Sequence, residues 1–326
     1  MRDLLLLPKA HLHVHLEGAM RPSTLAEIAG TYGIEVPPIR GYGSFSAFSE
    51  LYRAAELVLQ TETDLRRVVR EVLEDAAADG AIYIEPQMYP GRYADRLGPP
   101  GDVLDLILDE GRTTAERLGI GFGLQLSADR NSEPAAAEAM AVLAAERAGA
   151  GMVSFGLAAD EARYPPEPFA KAFAIAREAG LISAPHAGEH GGPASVIGAL
   201  DALGAQRIAH GVRAIESPDL VRRLVEEEIC LDVCPTSNLM LSVVPSLAAH
   251  PLAALIAAGV RCSLNGDDPL LFGPGLLAEY QVARTELGLD DTAIAWLARC
   301  SIEDSGAEAA RKTDGIAGID AWLAQA

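Results

Sequence analysis

The sequence predicts an α/β protein, a (β/α)8 barrel with additional helices after the first strand and at the C-terminus. Three observations predict it. Eight short apolar runs alternate with longer amphipathic stretches, the pattern of parallel strands joined by crossover helices. Many of the amphipathic stretches end in glycine just before the next run, at Gly80, Gly119, Gly149, Gly180, Gly204 and Gly259, a helix C-terminal signal. The first run leads into LEGAMRPST, with a single glycine, and not into the glycine-rich phosphate turn that an open doubly wound sheet favours.

In chain order the predicted strands are AHLHVHL (10–16), AIYIEPQMY (81–89), IGFGLQLSA (120–128), MVSFGLAA (152–159), LISAPHAGE (181–189), RIAHGV (207–212), ICLDVCPTSN (229–238) and VRCSLNGDD (260–268). Helices are predicted between them, for example over 64–80, 135–150 and 217–228, where alanine and leucine line one face and glutamate and arginine the other. Residues 20–60 and 270–326 hold helices beyond the eightfold count. Within the first, GSFSAFSELYRAAELVLQ (43–60) reads as a helical lid or, equally, as a packed helix face, with Phe45, Phe48 and Tyr52 at i, i+3 and i+7. No Pro/Ser-rich linker divides the chain, so residues 1–326 are expected to form one domain.

The 326 residues are 49% hydrophobic and carry a net charge of −20, which supports a large core and argues against nucleic acid or an anionic membrane as partner. No apolar run reaches membrane-spanning length, and the leucine run before Pro8 is too short for a secretory signal. Cys230, Cys234, Cys262 and Cys300 have no disulfide-framework spacing and are expected to be reduced core thiols of a cytoplasmic protein.

The chemistry lies at the strand ends. His11, His13 and His15 alternate along strand one and point to one face. Strand five ends in His186-Ala187-Gly188-Glu189, strand six in His210-Gly211, and strand eight in Asn265-Gly266-Asp267-Asp268. A barrel gathers all these ends at one mouth. So many buried ionisable groups cost several kcal/mol unless they are paired. A divalent cation resolves this by neutralising Asp267 and taking lone pairs from His13, His15 and His186. Three imidazoles and a carboxylate suit zinc, with iron and cobalt as alternatives, and a cation so held lowers the pKa of a bound water to about 7. Glu189, three residues past a ligand, stands as general acid/base; the bland alternative is a helix-entry carboxylate. His210 can orient or deprotonate the water and stabilise an oxyanion, and Asp268 can bond water or substrate.

PKAHLHVHLEG, HAGE, RIAHG, CPTSN and SLNGDDP, in this order and spacing, resemble the adenosine deaminase branch of the metal-dependent amidohydrolases over residues 8 to 285. The resemblance implies a zinc site of His13, His15, His186 and Asp267. It implies that Glu189 protonates the purine at N1, that His210 positions the attacking hydroxide, and that Asp268 contacts N7. His11 stands where such proteins commonly carry an acidic residue and is expected to lie one layer deeper, not on the metal. The expected substrate is a purine nucleoside, adenosine by default. A 5′-modified adenosine such as aminodeoxyfutalosine and free adenine are the alternatives. The departures from the family pattern lie at the substrate. Glu17 replaces an aspartate that serves the ribose. Gly156 replaces an aspartate, and Ala159 replaces a glycine whose N–H meets N3. Arg92 and Arg163 are candidates for a substrate carboxylate. Three rival classes are weighed. An inert purine-binding relative is disfavoured by Glu189 and His210. A two-metal ester or lactone hydrolase needs a strand-end lysine, and Lys171 lies in a helical stretch. A polynucleotide deaminase needs P-C-x-x-C, which is absent.

Overall fold

A computed structural model describes residues 2–36 and 45–325. Among these residues the strands are β1 (Lys9–His15), β2 (Ala81–Met88), β3 (Gly121–Phe122), β4 (Leu124–Asp129), β5 (Met152–Ala158), β6 (Ile182–Ser183), β7 (His186–Ala187), β8 (Arg207–His210), β9 (Cys230–Val233) and β10 (Arg261–Leu264). All pair in parallel, in two arcs, β1-β2-β4-β5-β6 with β3 on β2, and β7-β8-β9-β10. The extra strands come from interruptions in single runs. Gly123 separates β3 from β4, and Pro185, which has no N–H to give, separates β6 from β7. Eight strand positions result, as expected.

The arcs adjoin at two seams. At one, the passage from β6 to β7 bonds both sides: Ala184 donates to Phe155 (2.9 Å), and Pro185 accepts from Ala209 (3.0 Å). At the other, Val14 bridges to Asp267. His15 N–H donates to the Asp267 carbonyl (2.9 Å) and Asp267 N–H to that of His13 (3.0 Å). Where β1 lacks a strand partner, side chains substitute. Asn265 Oδ1 accepts from Leu12 and His13 N–H (2.7 and 3.0 Å), and Ser301 Oγ accepts from Ala10 N–H (2.9 Å).

The helices follow the predicted pattern. Helix Glu62–Ala78 starts at a capping box, Thr61 Oγ1 with Asp64 N–H and Asp64 with Thr61 N–H. Helices Pro134–Ala145 and Pro218–Glu226 follow, and all six predicted closing glycines sit at positive φ. Helices Pro22–Tyr32 and Phe45–Val58 come after β1, and Asp291–Glu303 and Ala309–Ala324 end the chain. Two predicted runs lose their C-terminal ends to other structure. The run 229–238 is strand only to Val233, because Pro235 opens the helix Pro235–Met240. The run 260–268 is strand only to Leu264. Among the described residues no helix is long and apolar enough to cross a membrane, and all four cysteines are buried and unpaired.

Charge is also stored inside the ring. Arg207, 1% exposed, pairs with Glu85 and Asp232, each at 2.6 Å. Glu279, on helix Leu276–Thr285, is buried with Oε2 unpartnered, and burial pushes its carboxyl up to about 8. The folded state therefore holds a proton that the unfolded chain releases near 4.5. Between these values folding binds protons, so stability falls as pH rises. Glu279→Gln is expected to flatten this slope. It should match the wild type near pH 5 and exceed it by on the order of 3 kcal/mol near pH 8.5. Denaturant melts at the two pH values check this; parallel curves would contradict it.

Candidate active site

The strand ends bring the predicted groups together. His13 Nε2 and His15 Nε2 each lie 3.2 Å from Asp267 Oδ1. His13 Nε2 lies 3.1 Å from His186 Nε2. His210 Nε2 lies 3.6 Å from Glu189 Oε1 and 3.8 Å from Asp267 Oδ2. His13, His186, His210 and Asp267 form one group of donor atoms within 4.8 Å of one another, and His15 forms a second with Asp267 and Asp268. His210 and Asp267 both stand at positive φ (65° and 56°). Non-glycine residues rarely adopt that conformation, and strain of this kind clusters at functional sites.

The rings are held from behind. His13 Nδ1 bonds the Asp232 carbonyl (3.0 Å) and His186 Nδ1 that of Leu157 (3.1 Å). A carbonyl only accepts, so both Nδ1 atoms carry hydrogen and both Nε2 atoms present lone pairs. Two lone pairs facing each other at 3.1 Å repel unless a cation lies between them. The donors therefore fit a metal ion, with imidazole orientation set as in known metal sites. His11 stays off this cluster; its Nε2 accepts from Gly266 N–H (3.0 Å).

Electrostatics separate the carboxylates. Burial opposes ionisation of Asp267, but His13 and His15 overcome it and hold its carboxyl well below the usual range. Burial, then Asp267, push the carboxyls of Glu189 and Asp268 well above the usual carboxylate range. Glu189 Oε1 and Asp268 Oδ1 are buried without a hydrogen-bond partner. Gly18 passes so close to Asp268 that an added Cβ would stand 1.6 Å from Oδ1, so only glycine fits there.

A cavity of about 480 Å³ opens over these groups. Ala158, Ala159, His186, Glu189, His210 and Asp268 are among its lining. Ala159 meets it at φ 81°, a conformation that favours glycine. Helix Phe45–Val58 supplies Phe48, Tyr52, Arg53 and Glu56 to the wall, and Phe48 stacks on Phe272 at 5.4 Å. The 43–60 segment is thus both a covering wall and a packed face, its residues 43 and 44 lying outside the described ones.

Three sequence-predicted substrate residues fall elsewhere. Glu17 does not line the cavity: Tyr52 donates to one carboxylate oxygen (2.7 Å) and Tyr93 to the other. Gly156 does not line it either; a Cβ there would meet Gln125 Nε2 at 2.3 Å and Ser127 Oγ at 2.6 Å. Arg163 is exposed and pairs with Asp160 (3.4 Å). Arg92 does line the cavity, but Asp129 at 2.5 Å and Glu56 at 3.7 Å already balance its charge.

Sequence reading missed Glu161 and Arg130. Glu161 accepts the N–H groups of Gly188, Glu189 (3.0 Å) and His190 (2.7 Å), so it braces the turn that carries Glu189. Arg130 donates to the His186 carbonyl and to that of Tyr164 (2.8 Å). Glu161 lies two residues past the predicted run 152–159, at a strand end like the other site residues; Arg130 follows a strand with nothing to mark it.

Comparison with known proteins agrees with this geometry. The adenosine deaminase family model matches residues 8–322. A putative adenosine/adenine deaminase of Streptomyces coelicolor is 44% identical over 338 residues, covering 99% of this chain and 98% of that protein. The adenine deaminase of Arthrobacter aurescens superposes with a TM-score of 0.92 at 33% identity, covering 98% of this chain and 100% of that one. An amidohydrolase of Burkholderia ambifaria with bound zinc does so at 0.89 and 27%, covering 99% and 94%. A fold, a donor cluster and a family match that extend over nearly the same residues leave one assignment: the chain belongs to the adenosine deaminase family and is a hydrolase acting on C–N bonds of cyclic amidines.

Proposed function

We propose that this chain hydrolyses the 6-amino group of a purine to a 6-oxo group and ammonia, and that free adenine is the substrate. The carrying observation is Glu17. The carboxylate expected to serve a ribose accepts from Tyr52 and Tyr93, one at each oxygen, and is not among the residues that line the cavity. A buried acceptor already satisfied has little to offer a sugar hydroxyl. The relative from Arthrobacter aurescens named adenine deaminase supports the same reading.

In this reading His13, His15, His186 and Asp267 hold one zinc ion. When bound, it supplies Lewis acidity that lets a water act as nucleophile near neutral pH. Glu189, protonated and unpartnered at Oε1, delivers a proton to the ring nitrogen beside the reacting carbon. Asp268, also protonated, donates to a second ring nitrogen, and Ala159 borders the far edge of the base. His210 fills the space between Glu189 and Asp267.

A second reading, adenosine, is favoured by the volume of the cavity, about 480 Å³, which exceeds what a bare base needs. Steady-state kinetics on adenine, adenosine and a 5′-substituted adenosine decide between them. For adenine, kcat/KM is expected to exceed that for adenosine by about 100-fold, the scale on which a site lacking a partner for a hydroxyl-bearing group discriminates. The reverse order would favour the nucleoside.

A further inference from the structure

Of the seven histidines, His250 has no part in the chemistry above, and neither does the CPTSN motif that ends at Asn238. The two residues meet behind His210. Leu252 N–H donates to His250 Nδ1 (3.1 Å). His250 Nε2 lies 3.1 Å from Asn238 Oδ1, and Asn238 Nδ2 lies 3.2 Å from His210 Nδ1. All three side chains are buried.

The direction of this chain follows from its first link. A backbone N–H can only donate, so His250 Nδ1 carries a lone pair and the neutral ring carries its hydrogen on Nε2. Burial, which pushes His250 down to about 4, keeps the ring neutral at physiological pH. The Nε2 hydrogen needs an acceptor, and Asn238 Oδ1 is the amide atom that accepts. Turning the amide over would set its NH2 group against the His250 Nε2–H, two donors facing each other. Asn238 Nδ2 therefore donates to His210 Nδ1, which must present a lone pair, and the hydrogen of the neutral His210 ring sits on Nε2.

This polarity is opposite to that of His13 and His186, whose Nδ1–H groups face carbonyls and whose Nε2 lone pairs face the centre. His15 Nε2 lies 3.3 Å from Gln87 Nε2. Gln87 Oε1 accepts from Gln125 and Ser127, so its amide nitrogen is the end facing His15, and His15 too presents a lone pair. Distance alone groups His210 with the metal donors; hydrogen direction sets it apart. Its Nε2–H is beyond hydrogen-bond range of Glu189 and Asp267 and points into the space between them.

We propose that Leu252 N–H, His250 and Asn238 form a one-way hydrogen-bond chain that holds His210 as an Nε2–H donor, making Asn238 and His250 positioning residues for the reaction. Such a donor stabilises negative charge on the attacking oxygen and is neither a metal ligand nor a base. The role in catalysis rests on the purine-deaminase reading; the hydrogen direction does not.

The test uses zinc-loaded full-length protein labelled with 15N-histidine, read by long-range 1H–15N correlation. His210 and His250 are both expected in the Nε2–H tautomer. Asn238→Asp puts an acceptor against His210 Nδ1, so it should move His210 to Nδ1–H. It should also lower kcat by about 10- to 100-fold with KM little changed, the usual cost of losing a partner that orients a metal-site group. His250→Phe frees the amide and should give His210 a mixture of tautomers with a smaller fall in kcat. An Nδ1–H His210 in the wild type would overturn the proposal, and that measurement stands even if a variant fails to fold. So would a folded Asn238→Asp protein with wild-type tautomer and kcat. The tautomer is read without substrate, so preference for adenosine would defeat the substrate assignment and leave this inference intact.

Discussion

Glu189→Gln is expected to lower kcat by about 10²–10⁴-fold, the usual contribution of a positioned proton donor, with zinc content unchanged. The substitution keeps shape and hydrogen-bonding capacity but removes the proton that a carboxyl can surrender. The position is suited to that role. Burial, then Asp267 and Glu161, push the carboxyl well up, and Oε1 is buried without a hydrogen-bond partner. Its backbone is pinned by Glu161, which also takes the N–H groups on either side. The variant should therefore fold normally, and its melting temperature should stay at or above that of the wild type, because no buried charge is lost. Loss of adenine absorbance gives the rate and elemental analysis gives the metal. Near wild-type turnover would remove Glu189 from the reaction.

Asp267→Ala is expected to abolish turnover together with metal binding. The carboxylate lies within 3.2 Å of both His13 and His15, and it offsets the charge of a divalent ion among neutral imidazoles. Its loss should weaken zinc binding by more than about 100-fold, the upper end of what losing a ligand's own partner costs. Chelation should inactivate the wild type, and zinc at the protein's own concentration should restore it. The same addition should leave the variant empty and inactive. Unchanged zinc content would show that Asp267 is not a ligand.

The donor cluster is legible in the sequence because it depends on two local facts. Strand alternation puts His13 and His15 on one face, and strand order puts His186, His210 and Asp267 at one mouth. No further packing detail is needed, and the structure brings all five within a few ångströms. The substrate wall is different. Nothing near Glu17 in the sequence shows that Tyr52 and Tyr93, from a helix and a turn far along the chain, will close over it. Nor does Gly156 announce that Gln125 and Ser127 will fill the space beside it. CPTSN continues an apolar run and reads as strand; Pro235, at a helix start, was the cue that it is not. The brace by Glu161 depends on three backbone groups, which carry no side-chain signature at all.

One residue has two duties. The main chain of Asp267 staples the last strand position to the first, while its side chain faces the metal donors. Stability of the ring and occupancy of the site are thereby linked at a single peptide unit. In metal-depleted protein the amides of His15 and Asp267 should be the first at the seam between β1 and the chain after β10 to exchange with deuterium, and zinc should slow them most, so that the cation acts as a clasp on the barrel as well as a reagent.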